Sequence, residues 1–228
     1  MSSASNTVVS IEHLSHCFEA ACVAAPVLSD INLVVRPGEI VILTGPSGSG
    51  KTTLLTLIGG LRKPGRGRLT VLGEELAQCP TEELVRVRRK IGFIFQAHNL
   101  LKFLTARQNV SMSLELHDSL SDRQMRERVD DILWSVGMGD RLDYFPAELS
   151  GGQRQRVAVA RALVSSPRLI LADEPTAALD GRTGRDVVDL IYGLSKRERS
   201  AVLLVTHDVR ILDIADRIVR MEDGKILE

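Results

Sequence analysis

The chain has 228 residues, 44% of them hydrophobic and 25% charged, a composition that can bury an ordinary core and is far from disorder. Lys and Arg number 29 against 29 Asp and Glu, so no sequence-wide positive field exists, which argues against a protein living by contacts to nucleic-acid phosphates. Aromatic residues make up only 4%, so the core is aliphatic and a site that needs a stacking ring has few candidates.

In chain order, residues 8–14 and 27–35 alternate apolar and polar side chains, as half-buried antiparallel strands do. Pro37-Gly38 turns the chain into a continuous apolar run, residues 40–43, which ends in a glycine-rich loop. Residues 52–58 read as a helix stopped by Gly59-Gly60, and 65–73 as a strand and turn. A helix over 81–90 carries Glu82 and Glu83 in its first turn and Arg86, Arg88, Arg89 and Lys90 in its last, which suits the helix dipole. A short strand at 91–95 leads to a region, 104–163, that reads mostly helical, with Ser121 capping a segment that Gly137 stops. Two further buried strands, 169–172 and 201–205, flank a helix across 184–194, and 217–227 ends the chain as a hairpin. The pattern predicts an α/β fold with a helical insertion. The apolar runs are of strand length and far short of a membrane span, residues 1–6 read as a loose terminus, and residues 1–10 lack the basic-then-apolar pattern expected of a secretion signal. Cys17, Cys22 and Cys79 have no metal-ligand spacing, and their odd number predicts a reducing compartment without a disulfide framework.

Three segments carry chemistry. Gly45-Pro46-Ser47-Gly48-Ser49-Gly50-Lys51-Thr52 fits G-x-x-x-x-G-K-[ST] between a buried strand and a helix, the context that motif needs. Small residues let backbone N–H groups approach phosphate oxygens, and the helix start adds its positive dipole end. Lys51 is expected at the β- and γ-phosphates, the Thr52 hydroxyl on Mg²⁺, and Thr53 at the α-phosphate. The strand at 169–172 ends in Asp173-Glu174: the first holds Mg²⁺ through water, and the second polarises a water for in-line attack. By itself such a strand end is equally a solvated acidic turn. The third segment is Leu149-Ser150-Gly151-Gly152-Gln153, a second phosphate-binding surface at a helix start, which one triphosphate does not need.

On these three motifs together the chain resembles the ATP-binding subunits of ABC transporters. The resemblance spans residues 8–227 and implies a P-loop NTPase (RecA-like) core, an N-terminal antiparallel β subdomain and a helical ABC insertion. It implies a single domain, with 1–96 and 154–228 forming the nucleotide-binding core and 97–153 the helical part. ATP and Mg²⁺ are the implied ligands. The implied unit is a head-to-tail pair of copies, formed with ATP, in which Ser150, Gly151, Gly152 and Gln153 of one close over the nucleotide of the other. Gln96 matches the glutamine that reaches Mg²⁺ and the attacking water, and His207 matches the histidine at the γ-phosphate. Asp180 matches the loop that crosses the dimer. Phe18, the one aromatic residue before Lys51, resembles the adenine platform; a core ring is the competing reading. Ala177 departs from the glycine common in the family.

Within the family the chain is similar to the lipoprotein-releasing and macrolide-exporter class. It is more closely similar to the DevA-type ATPases of cyanobacteria, through residues 44–61, 87–110 and 146–161. That class implies a motor on the cytoplasmic face of the inner membrane, with a permease docked near Ala97 through Leu104. Leu100, Leu101, Phe103 and Leu104 would line the docking groove. A periplasmic adaptor and an outer-membrane channel complete the implied system, its cargo a lipid or amphipathic molecule and nucleic acid no partner. A soluble ABC ATPase serving a non-membrane scaffold is the alternative.

Overall fold

Alternating side chains build the first sheet of the computed structural model, which describes residues 7–18, 26–115 and 120–227. β1 (Val9–His16) pairs antiparallel with β2 (Leu28–Val35) on one side and β4 (Arg66–Val71) on the other, and β5 (Glu74–Glu75) extends β4. The second sheet has six strands in the order β10 (Lys225–Leu227), β9 (Arg217–Glu222), β3 (Ile40–Thr44), β8 (Ala201–Val205), β7 (Leu169–Asp173) and β6 (Ile91–Ile94). Its neighbours run parallel except in the terminal β9–β10 hairpin. A strand buried on both faces has no polar alternation, and β3, β7 and β8 have none.

Successive side chains of these strands enter opposite cores. Ile40, Ile42, Ile170, Ala172, Val202 and Leu204 join the core shared with α5 (Gly151–Leu163) and α6 (Gly181–Glu198). Val41, Leu43, Leu169, Leu171, Leu203 and Val205 join the core shared with α1 (Lys51–Ile58) and the antiparallel sheet. α2 (Thr81–Arg89) precedes β6, and α3 (Ala106–Ser111) and α4 (Asp122–Ser135) pack on α5 as the helical insertion. No helix among the described residues is long and apolar enough to cross a membrane.

Three expectations need correction. The region 104–163 is less helical than its pattern suggests: α3 has six residues, and short 3₁₀ turns at Gly139–Arg141 and Pro146–Glu148 separate α4 from α5. Gly137, at φ 73°, ends α4 where a helix cannot continue. α6 is longer than 184–194, because the Asp180 carboxylate accepts from the Arg182 and Thr183 amides and starts the helix earlier. Cys17 is disulfide-bonded, against the expectation of no disulfide, whereas Cys79 is free. An odd count shows only that one thiol is left over and says nothing against a local pair. Residues 1–6 and Cys22 lie outside the described residues.

Asn109, fully buried in α3, ties down the loop before its own helix. Its side-chain oxygen accepts from the Leu101 amide at 2.8 Å, and its nitrogen lies 2.9–3.1 Å from the Leu101, Leu104 and Thr105 carbonyls. Asn109→Ala leaves those groups unpaired in the interior. It should lower unfolding free energy by about 1–3 kcal/mol, measured by urea denaturation, whereas the exposed Asn99→Ala should not match it.

Candidate functional site

The carboxyl ends of the parallel strands meet at one edge, where an open α/β sheet binds its ligands. Leu43 and Asp173 both lie level with Val205, and the ladder continues past the strands through Glu174 N to Val205 O and Thr206 N to Leu43 O. Each strand therefore delivers its next residues to the same place. β3 delivers the glycine-rich loop, β6 Gln96, β7 Glu174 and β8 His207. They enclose a cavity of about 560 Å³ lined by Gly45, Ser47, Gly48, Gly50, Lys51, Thr52, Thr53, Gln96, Asp173, Glu174 and His207, with Val27 and Val205.

The loop needs its glycines at two points in particular. Gly45, at φ 138°, lies so close to the Met221 carbonyl of β9 that a β-carbon would overlap it. Gly50, at φ 95°, leaves no room for one beside Leu28. The buried Lys51 ammonium donates to the Gly45 and Pro46 carbonyls at 2.9 and 2.7 Å and to the Ser49 hydroxyl at 3.0 Å, so the lysine braces the loop from inside. Burial lowers its pKa, and the Glu174 and Asp173 carboxylates pull it back up.

Across the cavity the Thr52 hydroxyl donates to Asp173 Oδ1 at 3.2 Å. Burial raises the Asp173 pKa; the Thr52 bond and Lys51 oppose that, and Glu174 adds to it. This pair of hard oxygens suits magnesium. Glu174 sits in the left-handed region at φ 48°, a conformation a side-chain-bearing residue adopts only when its surroundings impose it. Its Oε1 meets His207 Nδ1 at 2.9 Å, and its Oε2 is buried with no hydrogen-bond partner among the described residues.

The structure thus brings Lys51, Thr52, Thr53, Gln96, Asp173, Glu174 and His207 together. It does not bring Ser150–Gln153, Asp180 or Phe18 to that cavity. Ser150 and Gln153 form a capping box that opens α5: Ser150 Oγ accepts from Gln153 N at 3.3 Å, and Gln153 Oε1 from Ser150 N at 2.9 Å. Gly152 lies against the Thr183 methyl, with no space for a β-carbon, so the start of α5 packs beside the turn that Asp180 caps. Phe18, 37% exposed, is packed edge-on by His16 with ring centroids 5.5 Å apart, and the Arg62 guanidinium lies 5.0 Å from its centroid. Burial and then Arg62 lower the His16 pKa. Phe103 is 73% exposed, whereas Leu100 turns inward onto the helical core. Sequence reasoning missed Val27 and Val205, which line the cavity, and Arg62, whose position a lone surface arginine does not betray.

Residues 28–177 match the ABC transporter family. The chain belongs to that family, and its fold is that of an ATP-binding cassette ATPase. The lipoprotein-releasing system ATP-binding protein LolD of Pseudomonas syringae pv. tomato is 43% identical over 222 residues, 97% of both chains. The macrolide export ATP-binding/permease protein MacB of Marinobacter nauticus is 39% identical over 222 residues, but the chain spans only 34% of that relative's length. A dimeric, post-hydrolysis structure of the ATP-binding cassette MJ0796 bound to ADP and Pi has a TM-score of 0.89 at 36% identity, covering 96% of this chain and 97% of that one. Gly45→Ala tests how the loop is seated. The overlap with a backbone carbonyl of β9 should destabilise the fold by about 1–3 kcal/mol, read as a lower urea midpoint, while Gly73→Ala at an open turn should cost less.

Proposed function

We propose that this chain is the ATP-hydrolysing motor of an export system and works as a head-to-tail homodimer with two ATP molecules at its interface. The Glu174 oxygen that is buried with no hydrogen-bond partner among the described residues carries the catalytic reading. A carboxylate oxygen in that state costs free energy, and a water placed for in-line attack satisfies it. Glu174 takes the water's proton, with His207 holding the other oxygen in place and reaching the γ-phosphate. Backbone N–H groups of Gly45, Ser47, Gly48, Ser49 and Gly50 cradle the phosphates with Thr53, Pro46 fixes the bend of the loop without donating, and Lys51 turns from its carbonyls to the β- and γ-oxygens. Mg²⁺, held by Thr52, Gln96 and, through water, Asp173, would neutralise phosphate charge. Phe18 stacks on adenine.

The dimer is supported by chemical incompleteness. Ser150, Gly151, Gly152 and Gln153 form a phosphate-binding helix start that their own cavity does not use. Two-fold symmetry places that start over a partner's nucleotide and makes two equal sites, with Asp180 at the crossing. The helical part, 97–153, then carries the surface for a membrane permease near Ala97 through Leu104, where Phe103 is exposed. Relatives named for lipoprotein release and macrolide export support a lipid or amphipathic cargo, and a place on the inner face of the plasma membrane. A periplasmic adaptor and outer-membrane channel complete the proposed system, and the DevA-type likeness favours a lipid within that cargo class.

Glu174→Gln should bind ATP yet hydrolyse it roughly 10²–10⁴-fold more slowly, the range for losing a general base. With ATP it should sediment at twice the 25.0 kDa of the chain, and adding Ser150→Arg should return the monomer. Wild-type turnover in Glu174→Gln would refute the catalytic assignment, and a persistent monomer would refute the dimer. Phe18→Ala should weaken ATP binding by about 1–3 kcal/mol, with Phe18→Tyr tolerated. Unchanged affinity would make the ring a packing residue.

A further inference from the structure

His98 and Asn99, two and three residues beyond Gln96, lie one after the other in the left-handed region, at φ 61° and 50°. Such backbone persists only where its surroundings hold it. The holder here is Arg161, in the last turn of α5. Its Nη1 donates to the Asn99 carbonyl at 2.5 Å and its Nη2 to the His98 carbonyl at 2.6 Å. A planar guanidinium fork matches two neighbouring acceptors in a way an ammonium cannot. Burial lowers the Arg161 pKa, and among the described residues no carboxylate raises it. A half-buried guanidinium whose two amino groups both go to main-chain carbonyls fixes the geometry of those carbonyls as well as filling space.

The turn also reaches the other end of the same helix. Burial and then Arg154 lower the His98 pKa, and hydrogen bonds to the Ala97 and Gly151 backbone raise it, so the ring lies against the first turn of α5. Beyond the turn, Asn109 fastens Leu101 through Thr105 to α3. On the cavity side, Gln96 is the loop's one contribution to the nucleotide site.

We propose that Arg161 is a positioning residue that holds the Gln96 loop in register with α5, so that the glutamine facing one nucleotide and the helix start facing the partner's move as one piece. The inference rests on the role proposed above for Gln96. Arg161 touches no nucleotide; it acts through main-chain carbonyls two and three residues from a side chain that does. A helix that shifts as a rigid body then carries the glutamine with it, and a nucleotide that displaces the glutamine pulls on α5.

The test uses the full 228-residue chain with Arg161→Met, which keeps the stem and removes the fork, and Arg161→Lys, which restores charge but not the paired geometry. Amide hydrogen exchange over residues 97–101 should quicken in Arg161→Met, while α1 and the sheet keep wild-type protection. Affinity for ATP should stay within about twofold, the ordinary scatter between independent sites. Turnover should fall roughly 10- to 100-fold, as misplaced catalytic groups do, and Arg161→Lys should recover only part of it. The diagnostic is the double variant: Gln96→Ala with Arg161→Met should be no slower than Gln96→Ala alone. Losses that multiply, or unchanged exchange in both Arg161 variants, would overturn the proposal. Should Arg161→Met fail to fold, Arg161→Lys carries the same exchange and double-variant measurements. Wild-type turnover in Gln96→Ala would instead sink the role of Gln96, and the tie between loop and helix would then stand or fall on the exchange data.

Discussion

The register of three parallel strands, apolar but for Thr44 and Asp173 at the ends of β3 and β7, holds the site together. Leu43, Val205 and Asp173 lie level across β3, β8 and β7, and each strand emits its polar residues immediately afterwards. Because side chains alternate between two cores, a slip of one residue would exchange Ile40 and Ile42 for Val41 and Leu43 on every face at once. The cost of that exchange pins Lys51, Glu174 and His207 to one edge more firmly than any hydrogen bond among them. The geometry of the cavity edge is here a by-product of hydrophobic packing.

Within that frame the charges hold one another. The Lys51 ammonium lies in the loop's own carbonyls, and the carboxylates of Asp173 and Glu174 face it across the cavity. Burial disfavours ionisation of both Lys51 and Asp173, and their mutual attraction works against that on each. The cavity edge therefore carries charge of both signs, with the ammonium on the loop and the carboxylates on the strand end.

A second layer concerns how the loop after β6 is kept. Irregular backbone near a sheet edge has no ladder to satisfy its carbonyls, and each one needs a partner. Asn109 and Arg161 supply those partners from two different helices, one from α3 and one from α5. The loop after β6 thus takes its shape from the two helices that flank it, α3 and α5, rather than from the sheet, which is the physical basis for treating the loop and α5 as one moving body.

The motifs were legible because each depends on local chain chemistry. Glycine spacing, an apolar strand ending in Asp173-Glu174 and the Ser150 capping box are all contained within a few neighbouring residues. The alternation of β1 and β2 and the unbroken apolar runs of β3 and β8 were legible for the same reason. Other features required the fold. The nearness of Met221 to Gly45, the Arg62 guanidinium over Phe18 and the Arg161 fork under His98 join residues far apart in the chain, and nothing local to an arginine says which carbonyl it will meet. Asp180 was read as part of a crossing loop, yet its carboxylate also caps α6, a choice fixed by where that helix could pack. Sequence alone determined which residues can handle a phosphate, because that chemistry is written in residue type and spacing. Only the tertiary structure decided which of them share a cavity and what holds them there, because those contacts come from strand register and helix packing over long separations.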